Sequence, residues 1–124
     1  MSNAYSEVLE ALEVYLDALY HADEKRINEL FHPAALYAMS TDAGGIMTRT
    51  TAEYVDVLSK RESPASKGET KNGTIHSIEF GGPSTAIARI SGVLGSTAYV
   101  DLVTLMKVEG RWRILTKIFH TTPA

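Results

Sequence analysis

A chain of 124 residues with 44% hydrophobic and 22% charged side chains is sized and composed for one soluble globular domain, residues 1–124. It holds no cysteine, which excludes disulfides, thiol nucleophiles and Cys-based zinc sites. Its net charge of −3 is uneven, with eleven acids to five bases over residues 1–62 and seven bases to four acids over residues 63–124. An acidic first half and a mildly basic second half do not make the concentrated basic stripe of a nucleic-acid binder. No apolar run approaches the ~20 residues of a membrane span, and no charged-then-apolar signal pattern opens the chain. No nucleic-acid or membrane partner is therefore expected, and the cytoplasm is the expected compartment.

In chain order, Tyr5, Val8, Leu9, Leu12, Tyr15, Leu16, Leu19 and Tyr20 recur at three and four, which predicts an amphipathic helix over 5–21. Asp23 is placed to cap a short second helix bearing Ile27, Leu30 and Phe31, which Pro33 ends. His21 and His32 fall where they would satisfy the ends of these two helices. Ala34 to Ser40 reads as a strand running into the turn composition Thr41-Asp42-Ala43-Gly44-Gly45. Thr50-Thr51-Ala52-Glu53 is a capping box opening a third helix, with Tyr54, Val57, Leu58 and Arg61 along one side and Ser63-Pro64 as its stop. Arg61 is placed to pair with Glu69 in the loop beyond.

From Thr70 onward the pattern is strand-like: Lys71 to Phe80, then Thr85 to Val93, then a long hairpin from Thr97 to His120 turning at Val108-Glu109-Gly110. Helices first and antiparallel strands after predict an α+β domain with the helices on one sheet face. In the hairpin's first run, period-2 counting groups Tyr99, Asp101, Val103 and Leu105 against Val100, Leu102, Thr104 and Met106. In the second it groups Trp112, Ile114, Thr116, Ile118 and His120 against Arg111, Arg113, Leu115, Lys117 and Phe119. Both faces of the first run are too apolar for a sheet washed by solvent, so each needs a cover. Asp101 stands out as a carboxylate in an otherwise apolar strand, where an unpaired charge is costly. A tyrosine or Arg89 on a neighbouring strand would serve as its partner.

The segments YLDALYHADEKRINELFHPAA, RESPASKGE and DLVTLMKVEGRWRILTKIFH resemble the nuclear transport factor 2-like superfamily, and within it the bacterial "putative lumazine-binding" subgroup. The resemblance runs from about Tyr15 to His120. It implies a cone in which three N-terminal helices close over the concave face of a curved antiparallel sheet. It also implies homodimers formed through the outer sheet face, where Val100, Leu102 and Met106 would be buried. Ketosteroid isomerase, polyketide cyclases and scytalone dehydratase share the superfamily and use the cone's interior as an active site. Resemblance to the isomerase puts Tyr15 at the position of its oxyanion-hole tyrosine and Asp101 near its second oxyanion-hole donor. The isomerase's basic carboxylate falls on Met39, whose thioether cannot accept a proton.

The expected site is a pocket lined by Tyr15, Tyr37, Met39, Tyr54, Tyr99, Asp101, Trp112 and His120, suited to a flat and partly polar organic ligand. Tyr15, Asp101 and His120 are the candidates for catalysis. No metal-ligand spacing such as H-E-x-x-H occurs, and no cofactor is implied. Three functions fit this pattern: a small-molecule-binding domain; an isomerase, cyclase or dehydratase acting on a carbonyl compound; and a dimeric interaction module with a filled core.

Overall fold

The computed structural model describes residues 3–124, so the first two residues of the expected domain lie outside the described residues. Helix α1 (Ala4–His21) opens on Asn3, whose side chain accepts from the Ser6 backbone N–H at 2.9 Å while the Ser6 hydroxyl lies 3.2 Å from the Asn3 N–H. It buries Val8, Leu12, Tyr15, Ala18 and Leu19, the face that the three–four spacing marks. Each large apolar side chain so buried contributes roughly 2 kcal/mol, so packing holds this helix more than propensity does. Ala22, left-handed at φ 48°, closes it, and Asp23 caps α2 (Glu24–Leu30).

Strand β1 (Phe31–Ser40) begins before the expected Ala34, carrying His32 and Pro33 into the sheet edge. His32 therefore does not finish α2; its carbonyl accepts the Thr51 hydroxyl at 2.7 Å. Pro33 has no N–H to give to a ladder, and it sits where the β1 register slips between Phe31 and Leu36. Beyond the glycine loop lies β2 (Ile46–Thr50), a strand the sequence reading passed over. It is short and at the sheet edge, with none of its residues buried, so it carries no apolar run. The Thr50–Glu53 capping box then opens α3 (Thr51–Ser59), with reciprocal bonds of 2.9 and 3.2 Å.

Strands β3 (Thr74–Phe80), β4 (Thr85–Leu94), β5 (Thr97–Val108) and β6 (Arg111–Pro123) complete a six-stranded sheet of order β2-β1-β6-β5-β4-β3. All its pairs are antiparallel except β1 with β6. The sheet is curved and unclosed, with the helices on one face, as the α+β reading requires. Glu109 and Gly110, both at positive φ (51° and 79°), make the tight turn between β5 and β6. Gly92 lies opposite Tyr99, and a Cβ there would come within 2.5 Å of the Tyr99 hydroxyl, so only glycine leaves that ring its place.

One irregularity decides which side chains of β6 reach the interior. Thr104 pairs with Thr116, but Leu105 pairs with Ile114, which leaves Leu115 as an extra residue in β6. Across such a bulge the alternation changes sides. Trp112 and Ile114 face the helices, and beyond the bulge Lys117 and Phe119 do, opposite Val103 and Asp101. Ile118 and His120 are turned outward, opposite Leu102 and Val100, and are exposed. Period-2 counting through Leu115 reverses this half of the strand, so His120 is not on the concave face and Lys117 is.

The helical layer is also tied together by charge. Asp17 of α1 pairs with Arg26 of α2 at 2.7 Å and with Lys71 of the loop before β3. Hydrogen bonds from Lys71 and then Arg26 lower its carboxyl to about 2 from 3.8. A depressed carboxyl contributes stability above its unfolded pKa and loses it as pH falls through the folded one. Asp17→Asn is therefore expected to lower the midpoint of thermal unfolding at pH 7. The gap to the unsubstituted protein should close as pH falls from 3.8 toward 2; scanning calorimetry across that range checks it.

Candidate functional site

Asp101 is 1% exposed on β5, and its charge is met from two sides. From α1, Tyr15 donates its hydroxyl to Asp101 Oδ2 at 2.7 Å. From β6, the Lys117 ammonium stands 3.8 Å from the same oxygen. Arg89, the cation weighed from the sequence, pairs across to Leu102 and lies exposed on the outer face. Asp101 Oδ1 is buried and has no hydrogen-bond partner among the described residues.

Lys117 itself is 6% exposed, an unusual position for a lysine. Its Nζ donates to the Tyr54 hydroxyl at 3.4 Å and lies 5.0–5.3 Å from the ring centres of Tyr15, Tyr37, Tyr54 and Phe119. Such rings attract a cation through their negative faces. Burial pushes the ammonium below the ordinary lysine range; Asp101 and Tyr37 oppose this, and Arg61 and Arg49 add to it. Burial also raises the Tyr15, Tyr54 and Tyr99 phenols, with the Asp101 charge adding to each, so all three stay protonated at neutral pH.

Apart from Tyr15 and Arg49, these groups border a cavity of about 420 Å³. Its inner wall is Tyr37, Tyr54, Tyr99, Asp101, Lys117 and Phe119; its mouth is exposed Arg61, Glu62 and Lys67 with the Gly95–Thr97 turn. The rings are in mutual contact, Tyr37 lying 4.7 Å from Tyr54 and 4.6 Å from Phe119 between centres. The volume lies in the range of small-molecule sites, and a mainly aromatic wall with one charged pair is their usual make-up.

The expected residues divide. Tyr37, Tyr54, Tyr99 and Asp101 come together on the cavity. Tyr15 is fully buried behind Asp101 and does not line the space, its hydroxyl being taken up by the carboxylate. Trp112 is buried nearer the other end of the hairpin, where its indole N–H donates to Glu7 at 3.1 Å. Met39 is half-buried opposite Met47 of the edge strand and does not reach the cavity. His120 is on the outer face, and His76 is bound to the Ser91 hydroxyl at 2.6 Å on the exposed edge, so no histidine is among the cavity's lining residues. Arg61 does not pair with Glu69, which takes Lys67 at 3.1 Å and the Gly95 N–H at 2.9 Å; Arg61 lies exposed at the mouth, with no ion-pair partner among the described residues.

Lys117 and Phe119 are the functional candidates that the sequence reading left out. The available signal was Asp101: an acid inside an apolar strand calls for a cation from the adjoining strand, and Lys117 is the cation central to β6.

The family described as "Putative lumazine-binding" matches residues 3–120, nearly the whole chain. The chain belongs to that family. Its fold is that of the nuclear transport factor 2-like superfamily. A protein of this kind from Shewanella baltica OS155, of unknown function, superposes with a TM-score of 0.84 at 24% identity, over 97% of this chain and 94% of that one. A ketosteroid isomerase-like protein from Erwinia carotovora atroseptica SCRI1043 does so at 0.68 and 15% identity, over 96% of both chains. Among characterised sequences, Aldolase FrzH of Cladobotryum sp is 28% identical over 124 residues, covering 98% of this chain and 94% of the relative.

The Lys117 amine should titrate below the ordinary lysine value of about 10.4. Asp101→Asn, by removing the charge that favours the ammonium, should lower it further. NMR of the ¹³C-methylated lysines measures both values; an unchanged Lys117 value in the variant would mean that the two groups do not interact.

Proposed function

We propose that this chain binds a small, flat, carbonyl-bearing organic compound in the cone cavity and holds its carbonyl against the Lys117–Asp101 pair. The observation that carries this reading is one buried ammonium and one buried carboxylate set into an otherwise aromatic wall. A ring system stacks on Tyr37, Tyr54 and Phe119; a carbonyl oxygen accepts from the ammonium; an N–H or O–H of the ligand finds the unpartnered Asp101 Oδ1. The family's description supports the same ligand shape, since lumazine is a flat fused ring bearing carbonyls. The aldolase name of the 28% identical relative supports the same functional group.

The Lys117–Asp101 pair favours catalysis over storage. An ammonium that polarises a carbonyl raises the acidity of the neighbouring C–H, and Asp101 is then the carboxylate at hand to take the proton. Chemistry of isomerase, cyclase or dehydratase type would run through Asp101 and Lys117, not through position 39 or a histidine. The open volume speaks against an interaction module with a filled core.

A second copy of the chain is proposed for the outer sheet face. No helix covers it: Leu102 and Ile118, cross-strand partners, are 43% and 47% exposed, and Met106 is 39% exposed with Val100 half-buried beside them. Sedimentation velocity should find a dimer at micromolar concentration, and Leu102→Asp with Ile118→Asp should give a folded monomer. A monomeric unsubstituted protein would overturn this arrangement.

The ligand reading is tested by thermal shift with lumazines, flavins, steroids and aromatic ketones. A compound at 100 times its dissociation constant should add about 2.7 kcal/mol, a rise of several degrees for a domain this size. The shift should fall away in Lys117→Met and Asp101→Asn. Equal shifts in both variants would place the ligand elsewhere.

A further inference from the structure

We propose that Lys117 is a covalent nucleophile, its ε-amine adding to the carbonyl carbon of an aldehyde or ketone in the cavity to form a Schiff base. This rests on the carbonyl-ligand reading above and goes further, since it assigns a bond and a substrate class. The substrate would be an enolisable ketone or aldehyde, and the reaction class the making or breaking of a carbon–carbon bond beside that carbonyl.

Four observations converge on the amine. Lys117 is the lysine that the described core buries, and it borders an open cavity at whose mouth Lys67 remains exposed to water. Its Nζ is 3.8 Å from a carboxylate, too far for direct transfer but close enough for a proton to pass through one bridging water or one atom of a reacting ligand. That carboxylate is held by Tyr15 through Oδ2 alone, which leaves Oδ1 without a partner. Desolvation favours the neutral amine, the form that has a lone pair to donate. The charged and titratable groups around the amine are Asp101 from β5, Tyr15 from α1, Tyr54 from α3, Tyr37 from β1 with Arg49 of β2 bound to its hydroxyl at 3.0 Å, and Arg61 at the mouth.

The step balances within these groups. The nitrogen lone pair forms the C–N bond while the carbonyl π pair moves to oxygen. The proton released by nitrogen passes to Asp101 and then to the carbinolamine oxygen. The proton that the ammonium gave up in becoming the amine, returned by solvent at the mouth, lets that oxygen leave as water, and the nitrogen lone pair closes the C=N bond of an iminium. The cation so formed lies where Asp101 and the four rings already accommodate a positive charge. An iminium acidifies the adjacent C–H, and Asp101, again a carboxylate, is the base for the enamine step. A purely structural ammonium would use the same cage but would remain protonated and unreactive.

The test is reductive trapping with 4-phenylbutan-2-one and sodium cyanoborohydride, followed by peptide mass mapping. The chain's other lysines (Lys25, Lys60, Lys67, Lys71 and Lys107) serve as internal controls. Lys117 should be alkylated faster than any of these at pH 7.5, because its lowered pKa leaves a larger fraction of the amine neutral. Its rate should level off at a lower pH than theirs. Asp101→Asn, which retains the lysine and lowers its pKa further, should move the levelling-off of trapping to a lower pH and reduce the plateau rate itself, because the proton relay is gone, and Lys117→Arg should abolish the adduct while keeping the charge. Binding of the ketone is followed separately by chemical-shift changes without reductant. Binding with no preference for Lys117 in trapping overturns the nucleophile and leaves the carbonyl-binding reading standing; no binding and no selective trapping overturns both.

Discussion

The molecule depends on one buried ion pair. Asp101 and Lys117 lie on adjacent strands, 1% and 6% exposed, with a tyrosine hydroxyl on the carboxylate and four aromatic rings around the ammonium. Removing two ions from water costs several kcal/mol each before their attraction is counted, and an apolar pair of the same volume would often do as well for stability. Stability alone therefore does not explain the pair. The neighbouring parts of the fold converge on it: α1 supplies Tyr15, α3 supplies Tyr54, and β1 supplies Tyr37. The bulge at Leu115 turns Lys117 toward them.

How the chain reaches this arrangement explains what was readable in its sequence. The helices were readable because α1 repeats its apolar residues at three and four, and because Asp23 and the Thr50–Glu53 box mark where α2 and α3 begin. The inner face of β5 was readable for the same reason, its alternation running unbroken from Tyr99 to Leu105. Asp101 was readable because it interrupts an apolar strand, and Tyr15 because the resemblance to the isomerase singles it out on the apolar face of α1. What failed was counting across β6. A single unpaired residue changes the parity of everything after it, and Leu115, Thr116 and Ile118 are all acceptable on either face of a strand. Lys117 and Phe119 were lost to the outside and His120 was drawn inside by that one residue.

Trp112 is outside the pocket for a different reason. Its face is the right one, but a face extends the length of a strand, while the cavity takes up only one end of the hairpin. Trp112 faces the helices, yet it lies at the β5–β6 turn, where Lys107 pairs with it across the hairpin and Glu7 of α1 accepts its N–H. Strand parity gives direction without depth along the strand. Depth is set by which loops close the cone, and here the segment after α3 and the turn between β4 and β5 do so, bringing Arg61 and Lys67 to the mouth.

The same cage bears on which chemistry the pair can do. In the isomerase arrangement that the resemblance implies, tyrosine and acid both donate to a ligand oxygen. Here the tyrosine donates to the acid, and the ammonium faces the same oxygen, so the acid's neighbours present hydrogens to it on both sides. The carboxylate is thereby held as a hydrogen-bond acceptor, and the donor left facing the cavity is the lysine. Replacing a hydroxyl and acid pair of donors with an amine changes what the site offers a carbonyl: a hydrogen bond alone becomes a hydrogen bond or a covalent bond to nitrogen. Which of the two prevails depends on the balance between desolvation, which favours the neutral amine, and Asp101 with its ring cage, which favours the cation. Entry of a ligand shifts that balance in one direction. A ring system filling the cavity would cover the amine's last exposed surface, and desolvation would then work on a group that already has a carboxylate 3.8 Å away.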